Sequence, residues 1–202
     1  MNVSQKRKTL YRIITVGLMA ALVYVGNYLQ IKIPNGVLVT RIHLGNSMCL
    51  LAGLLFGDLS GGLSSGIGAA LYDLFDPAYI TSAPFTFINK FAMGFTAGLL
   101  NRAKVGNELA RASLAAAAGQ IVYIVLYLIK TYFKMILVMD STAEAAWTAV
   151  GTNAVTSLIN GALAVVISVP LYFALKKALR HTEIAPLICG ENKTASEVRS
   201  DV

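Results

Sequence analysis

Long apolar runs separated by short polar segments organise this chain. A helix that crosses a bilayer needs about 20 mostly apolar residues. The pattern predicts an all-α bundle of six transmembrane helices, in which the tight turn at Gly57 and Asp58 makes the second helix short or tilted. The predicted helices cover roughly 11–30, 46–57, 59–76, 85–101, 109–138 and 147–176.

Composition agrees with a membrane protein. Only 13% of the 202 residues are charged, and the mean hydropathy is +0.64, whereas soluble domains carry about 25% charged residues. We therefore predict one membrane domain over 1–180 and a polar, disordered cytoplasmic tail over 181–202. Cys49 and Cys189 lack the spacing of a metal site or a disulfide framework.

The net charge of +7 follows membrane topology. Basic residues cluster before the first apolar run, between the fourth and fifth runs, and after the last run, which places both termini in the cytoplasm. This distribution argues against nucleic-acid binding. No cleavage site follows the first run, so we interpret it as an uncleaved helix. The basic residues are Lys6, Arg7, Lys8, Arg12, Arg102, Lys104, Arg111, Lys176, Lys177 and Arg180.

Three segments then face outside: 31–45, 77–84 and 139–146. In the first, the turn signal Pro34-Asn35-Gly36 separates two apolar β-branched pieces, which predicts a small hairpin-like lid. No internal repeat is evident, which argues against an inverted-repeat secondary transporter.

The fifth helix carries one polar face. Gln120, Tyr123, Tyr127, Lys130 and Lys134 follow steps of three and four residues. A lysine at the centre of a membrane helix costs about 3 kcal/mol, so Lys130 should face protein or water. Alternatively, both lysines extend to the outer headgroups.

The sixth helix offers a second polar stripe, formed by Asn153, Thr156, Ser157 and Asn160, with Trp147 at its outer end. These side chains are candidates for ligand binding. The alternatives are that buried amides only join helices and that Trp147 is an interfacial belt residue.

The fourth helix places Phe87, Asn89 and Lys90 in its outer turns. A lysine inside a membrane needs a counter-charge, a polar ligand or water. Asp73 and Asp76 are the nearest acids in sequence, so an Asp73–Lys90 ion pair is an alternative to ligand binding by Lys90.

Small residues recur at intervals of four, a spacing that lets helix backbones approach closely. We expect packing within the molecule on the fourth helix, and a partner protein as a competing explanation on the first and third. The positions are Gly17 and Ala21, then Gly62, Gly66 and Ala70, then Gly94 and Gly98.

Motifs for catalysis or nucleotide binding are absent from the sequence: it has no HExxH, GxSxG or Walker pattern. We predict no catalytic residue, no metal site and no cofactor. If ATP drives this protein, another subunit hydrolyses it.

Four pieces of the chain, in this order, carry a family resemblance: VGLMAALVYV, IKIP followed by HLGN, LLAGLLFGDLSGGLSSGIGAALYDLF, and SAPFTFINKFAMGFTAGLL. Through them the chain resembles, from about Lys8 to Lys177, the S components, the substrate-binding membrane subunits, of energy-coupling factor (ECF) vitamin transporters. The four pieces look most like the branch with predicted carriers for vitamin B6 and hydroxymethylpyrimidine.

The resemblance implies a prokaryotic plasma-membrane protein that binds a vitamin near its outer side, with helices 4–6 and outer loops 1 and 3. It also implies a transmembrane coupling (T) subunit, two cytoplasmic ATPases, and toppling of the S component to carry the ligand inward. The family's helix-1 contact patch maps to Gly17 and Ala21, with Gly where Ala is usual.

We therefore expect an importer subunit for a pyridoxine-like or hydroxymethylpyrimidine-like molecule. A self-sufficient carrier or channel, or an intramembrane enzyme, is the alternative. The predicted ligand residues are Phe87, Asn89, Lys90, Gln120, Tyr123, Tyr127, Lys130, Trp147 and Asn153, and the predicted coupling surface is Gly17, Ala21, Gly62 and Gly66.

Overall fold

The computed structural model describes residues 3–35, 38–103, 106–180 and 182. This part of the chain contains six α-helices, one short 3-10 helix and one antiparallel hairpin. In chain order the elements are α1 (Val3–Tyr28), β1 (Gln30–Asn35), β2 (Leu38–His43), α2 (Gly45–Phe56), α3 (Asp58–Phe75), the 3-10 helix Ile80–Ser82, α4 (Ala83–Arg102), α5 (Glu108–Leu137) and α6 (Ala143–Ala178).

The helices lie where the apolar runs predict them, with two earlier starts. α1 begins at Val3, and α6 begins at Ala143, where the Thr142 side chain caps the helix by accepting from the Ala145 N–H. The predicted disordered tail lies outside the described residues, apart from Thr182.

The short helix α2 is the core of the bundle. Every residue of it except Met48 is buried, and it packs against α1, α3, α4 and α6. An apolar helix of 10–14 residues is more typical of a protein core than of a membrane span. Its burial explains why so short a run forms a stable helix.

Glycines let α4 lie almost in backbone contact with α2 and with the turn before α3. A Cβ on Gly53 would lie 2.4 Å from the carbonyl oxygen of Gly94, and one on Gly98 would lie 2.2 Å from the carbonyl carbon of Gly57. The small residues of α4 therefore serve packing within the molecule.

Gly98→Ala should lower the free energy of unfolding by about 2 kcal/mol, because the added methyl overlaps a backbone that cannot move aside. Thermal unfolding in detergent measures this loss. Gly17→Ala is the matched control, since a Cβ there has nothing within 4 Å. Equal melting temperatures for Gly98→Ala and wild type would contradict the packing.

Within the described ranges, three helices are long and apolar enough to cross a membrane by length and composition: Gln5–Tyr28, Glu108–Leu137 and Ala143–Ala178. Their most apolar windows are only 28–33% buried inside the protein. Large apolar side chains such as Ile13, Leu114 and Val166 are therefore left on the outer surface of the bundle, as lipid contact requires.

The hairpin β1–β2 is fastened to the end of the bundle formed by the C-terminus of α3 and the start of α4. Lys32 Nζ lies 2.8 Å from Asp76 Oδ2. Asn160 of α6 accepts from the backbone N–H of His43 at 3.0 Å and donates to the backbone carbonyl of Arg41 at 2.7 Å. The predicted hairpin is thus present over 30–35 and 38–43, while its turn, Gly36 and Val37, lies outside the described residues.

The Lys32–Asp76 pair makes hairpin attachment depend on pH. Burial raises the pKa of Asp76, but hydrogen bonds from Lys32 and the Ala78 N–H outweigh it and hold that pKa below its ordinary 3.8. The hydrogen bond to Asp76 raises the pKa of Lys32 above 10.5, against burial.

A depressed carboxyl pKa stabilises the fold above the unfolded value, and that stabilisation is lost as the pH falls through the folded value. We expect Asp76→Asn to melt below wild type by a constant margin between about pH 5 and about pH 9, and the margin to shrink below pH 3.8. If the difference in melting temperature between Asp76→Asn and wild type stayed the same down to about pH 2, the Asp76 carboxylate would not be its cause.

Candidate functional site

A cavity opens beneath the hairpin, between α4, α5 and α6. Its enclosed volume is about 80 Å³, and it widens into a mouth that is open to solvent. Its lining is almost entirely polar or aromatic. The lining residues are Arg41, His43, Asp73, Tyr79, Ser82, Thr86, Asn89, Lys90, Tyr123, Tyr127, Lys130, Thr131, Lys134, Asn153, Ser157 and Asn160.

The hairpin contributes Arg41, which reaches the end of α3. Its Nη2 lies 2.6 Å from Asp73 Oδ1, and its guanidinium lies 4.0 Å from the Tyr79 ring centroid. Burial alone would lower the pKa of Arg41, but the carboxylate of Asp73 outweighs this effect and raises that pKa above its ordinary value. The guanidinium therefore stays charged. An ion pair and an aromatic face thus fix one wall of the cavity.

α4 presents Thr86, Asn89 and Lys90 to the cavity, since positions i, i+3 and i+4 share a helix face. Lys90 is 3% exposed, donates to Asn46 Oδ1 of α2, and lies 3.8 Å from the Tyr123 ring centroid. The alternative Asp73–Lys90 pair is therefore wrong, because Arg41 takes Asp73 and an amide takes Lys90.

α5 supplies the aromatic wall. The rings of Tyr123 and Tyr127 stack with centroids 5.8 Å apart and planes 13° apart. Lys130, Thr131 and Lys134 continue this face toward the end of the helix. Such parallel rings offer a flat surface on which a second aromatic system can stack.

α6 adds buried amide and hydroxyl groups one helical turn apart. Asn153, Ser157 and Asn160 line the cavity, and Asn153 is only 2% exposed. Asn160 is occupied by the hairpin backbone, whereas Asn153 faces the cavity.

Three buried polar atoms in this lining have no hydrogen-bond partner among the described residues. They are Arg41 Nη1, Asp73 Oδ2 and Asn153 Oδ1. Leaving a buried donor or acceptor unsatisfied costs about 1–3 kcal/mol. One donor and two acceptors in one cavity point to a polar molecule that satisfies them.

His43 is a neutral member of the lining. Burial, then the Lys90 and Arg41 cations, keep its pKa well below 6.5, and its Nδ1 accepts from the Gly45 N–H at 3.1 Å. No group of three or more His, Cys, Asp or Glu side chains able to hold a metal occurs in the described part of the chain. The arrangement is therefore one for binding a ligand through hydrogen bonds and ring stacking.

Six of the nine predicted ligand residues line the cavity together. They come from the polar faces of three helices, since steps of three and four residues place side chains on one face. They are Asn89, Lys90, Tyr123, Tyr127, Lys130 and Asn153.

The other three lie elsewhere, and we remove them from the site. Phe87 follows Thr86 by one position, so it points around the helix toward α3, where its ring covers Gly66 and stacks on Phe91. Gln120 lies deeper, against Asn46 and Gly161. Trp147 is 64% exposed and contacts the ring of Tyr132, as expected for a belt residue.

The structure divides the predicted coupling surface. Gly62 and Gly66 face Phe91 and Phe87 of α4, so their surface is already covered within the molecule. Gly17 has open space around its Cα, and Ala21 is exposed. Of the predicted coupling surface, we therefore retain only the α1 residues Gly17 and Ala21 as candidates.

Sequence reasoning missed the contributions of the hairpin and of the α3–α4 connection. Arg41, Tyr79 and Ser82 lie outside the predicted helices, and Thr86 was not selected although it shares the α4 face of Asn89 and Lys90. The available signal was chemical: Arg41 and Asp73 carry opposite charges in segments that the predicted topology brings to the same end of the bundle, and such side chains are natural partners.

Comparison with known proteins identifies both a family and a shared fold. A family model described as "ECF-type riboflavin transporter, S component" matches residues 7–177. A solved structure described as the S component of a bacterial ECF transporter superposes with a TM-score of 0.63 at 18% identity, over 86% of this chain and 99% of that one. At this identity the solved structure shows a shared fold. No curated protein matches the chain.

Proposed function

Because the chain belongs to the ECF-type riboflavin transporter S-component family, we propose that it captures a small water-soluble vitamin or precursor outside the cell and delivers it inward. S components are substrate-binding membrane subunits of ECF transporters. The proposed ligand site is the cavity beneath the hairpin, and the single observation that supports it most is the set of unsatisfied buried atoms on Arg41, Asp73 and Asn153.

In this proposal all six helices embed in the prokaryotic plasma membrane with both termini in the cytoplasm. The basic clusters at the two ends of the chain support the orientation. The cavity then opens outward, because the hairpin and the start of α4 lie at the end of the bundle opposite Arg102 and Lys176.

A flat nitrogen heterocycle fits the lining best. Tyr123 and Tyr127 would stack on its ring, a contact worth around 1 kcal/mol per pair. Asn89 and Asn153 would satisfy ring nitrogens or hydroxyls, and Lys90 and Lys130 would donate to oxygens. The sequence resemblance favours a pyridoxine-like or hydroxymethylpyrimidine-like molecule, and the family description adds riboflavin.

The proposed partners are a transmembrane coupling subunit and two cytoplasmic ATPases. α1 supports the first of these, since Gly17 and Ala21 form a small-residue patch on its open face, flanked by exposed Leu18 and Leu22. The chain has no nucleotide-binding motif, so energy from ATP must come through such partners.

Reconstitution tests the proposal. The chain should co-purify with a co-expressed coupling subunit and its ATPases, and proteoliposomes containing all of them should accumulate vitamin only with ATP. The matched control replaces ATP with a non-hydrolysable analogue. Uptake by the chain alone, driven by an ion gradient, would contradict the proposal and favour a self-sufficient carrier.

A further inference from the structure

Positive charge dominates the lining of the cavity. Arg41, Lys90, Lys130 and Lys134 contribute cationic side chains, and Asp73 is the one acid among the described residues that line it. One oxygen of that acid is already held by Arg41 at 2.6 Å. His43 is buried beside Lys90 and Arg41, and it adds no charge of opposite sign.

Lys90 is buried, and the groups in direct contact with its Nζ are neutral. Its Nζ contacts the amide oxygen of Asn46 and the ring of Tyr123. No carboxylate within the described residues lies at salt-bridge distance from it. Burying a charge without an opposite charge is unfavourable. The ammonium group of Lys90 has no counter-ion in contact with it, and a ligand in the cavity could supply one.

Lys130 repeats this situation on α5. Lys130 is largely covered, and its Nζ lies 6.0 Å from the Tyr127 ring centroid. Among the described residues no carboxylate lies at salt-bridge distance from it, and Asp73 is the one acid in the same cavity lining. Lys134 lies one turn nearer the helix end, where its side chain can reach the headgroups. Lys130 instead belongs to the cavity itself.

We infer that the ligand presents an anionic oxygen (phenolate, carboxylate or phosphate) to Lys90 and Lys130, with Arg41 Nη1 as a further donor. This deepens the proposed function and rests on it. The unsatisfied oxygens of Asp73 and Asn153 require the rest of the ligand to carry N–H or O–H groups. The cavity thus favours a molecule that has one anionic oxygen and, elsewhere, groups that donate hydrogen bonds.

Matched ligand pairs test the inference on the purified full chain by isothermal titration calorimetry. The pairs are riboflavin and riboflavin 5′-phosphate, hydroxymethylpyrimidine and its phosphate, and pyridoxine and its 3-O-methyl ether, which cannot form the phenolate. In at least one pair the anionic member should bind at least about ten-fold more tightly. Tighter or equal binding of the neutral member in every pair that binds would overturn the inference.

Charge removal gives the second arm. Lys130→Met keeps the apolar part of the side chain and removes its charge. It should lower the affinity for the anionic ligand at least about ten-fold and the affinity for its neutral counterpart by less. Lys177→Met, an exposed lysine at the other end of the bundle, is the control and should change nothing. Melting temperatures show that each variant is folded.

The outcomes separate this inference from the proposed function. A neutral vitamin whose affinity depends on Asn153 and not on Lys130 overturns the anionic oxygen and leaves the cavity as the ligand site. If no pair binds, and native mass spectrometry finds no anionic molecule retained by the chain, both fail.

Discussion

Replacing Asp73 by asparagine is expected to lower the free energy of unfolding by about 3 kcal/mol and to abolish measurable ligand binding. Asp73 is 1% exposed and holds Arg41, so its loss leaves a buried guanidinium without an acid, close to Lys90 and Lys130. The hairpin would then lose the ion pair that fixes Arg41 in the cavity wall. Thermal unfolding in detergent and vitamin titration measure the two effects.

Asp76→Asn is the matched control, because it removes the same charge three residues along the same end of the bundle. Its partner Lys32 is 46% exposed, and exposed ion pairs contribute less than about 1 kcal/mol. Asp76→Asn should therefore bind ligand almost as wild type does. Equal losses for the two variants would show that the Arg41–Asp73 pair has no special role.

Gly17→Trp is expected to abolish ATP-driven uptake while leaving ligand binding unchanged. The indole would stand on the open face of α1, where a small-residue patch lets a partner helix approach closely. The cavity is formed by other elements, so affinity should not respond. Co-purification of the coupling subunit and uptake in proteoliposomes are the measurements.

Gly151→Trp is the control that adds an equally large side chain on a different helix. Gly151 also has nothing within 4 Å of an added Cβ, but it lies on the exposed face of α6. Its uptake should match wild type. Wild-type uptake by Gly17→Trp would remove α1 from the coupling surface.

The fold followed from the sequence because long apolar runs leave few alternatives to helices in a membrane. The run at 46–57 was predicted as a short transmembrane helix, whereas α2 is a helix buried in the core of the bundle. Hydrophobic periodicity alone does not distinguish these two kinds of helix. The hairpin was also predictable, because Pro34 and Asn35 interrupt β-branched pieces.

The site followed from the sequence only where one helix carries several members. The α5 stripe identified Tyr123, Tyr127 and Lys130, since helical spacing fixes their common face. Arg41 was missed because its partner lies 32 residues away, and helical spacing does not report which segments meet. Phe87 was predicted because its chemistry suits a ring, whereas its position on α4 directs its side chain to α3 and away from this cavity.

The most direct test of the ligand site is titration of the bound vitamin, among riboflavin, pyridoxine and hydroxymethylpyrimidine, into Asn153→Ala and Lys130→Ala. Asn153→Ala should lose affinity for the bound vitamin by about ten-fold or more, and Lys130→Ala should lose affinity to an extent that is largest for a vitamin with an anionic oxygen, since each variant removes a polar group that faces the cavity. Trp147→Ala, whose ring lies outside the lining, should bind as wild type does. Wild-type affinity in both Asn153→Ala and Lys130→Ala would place the ligand elsewhere in the protein.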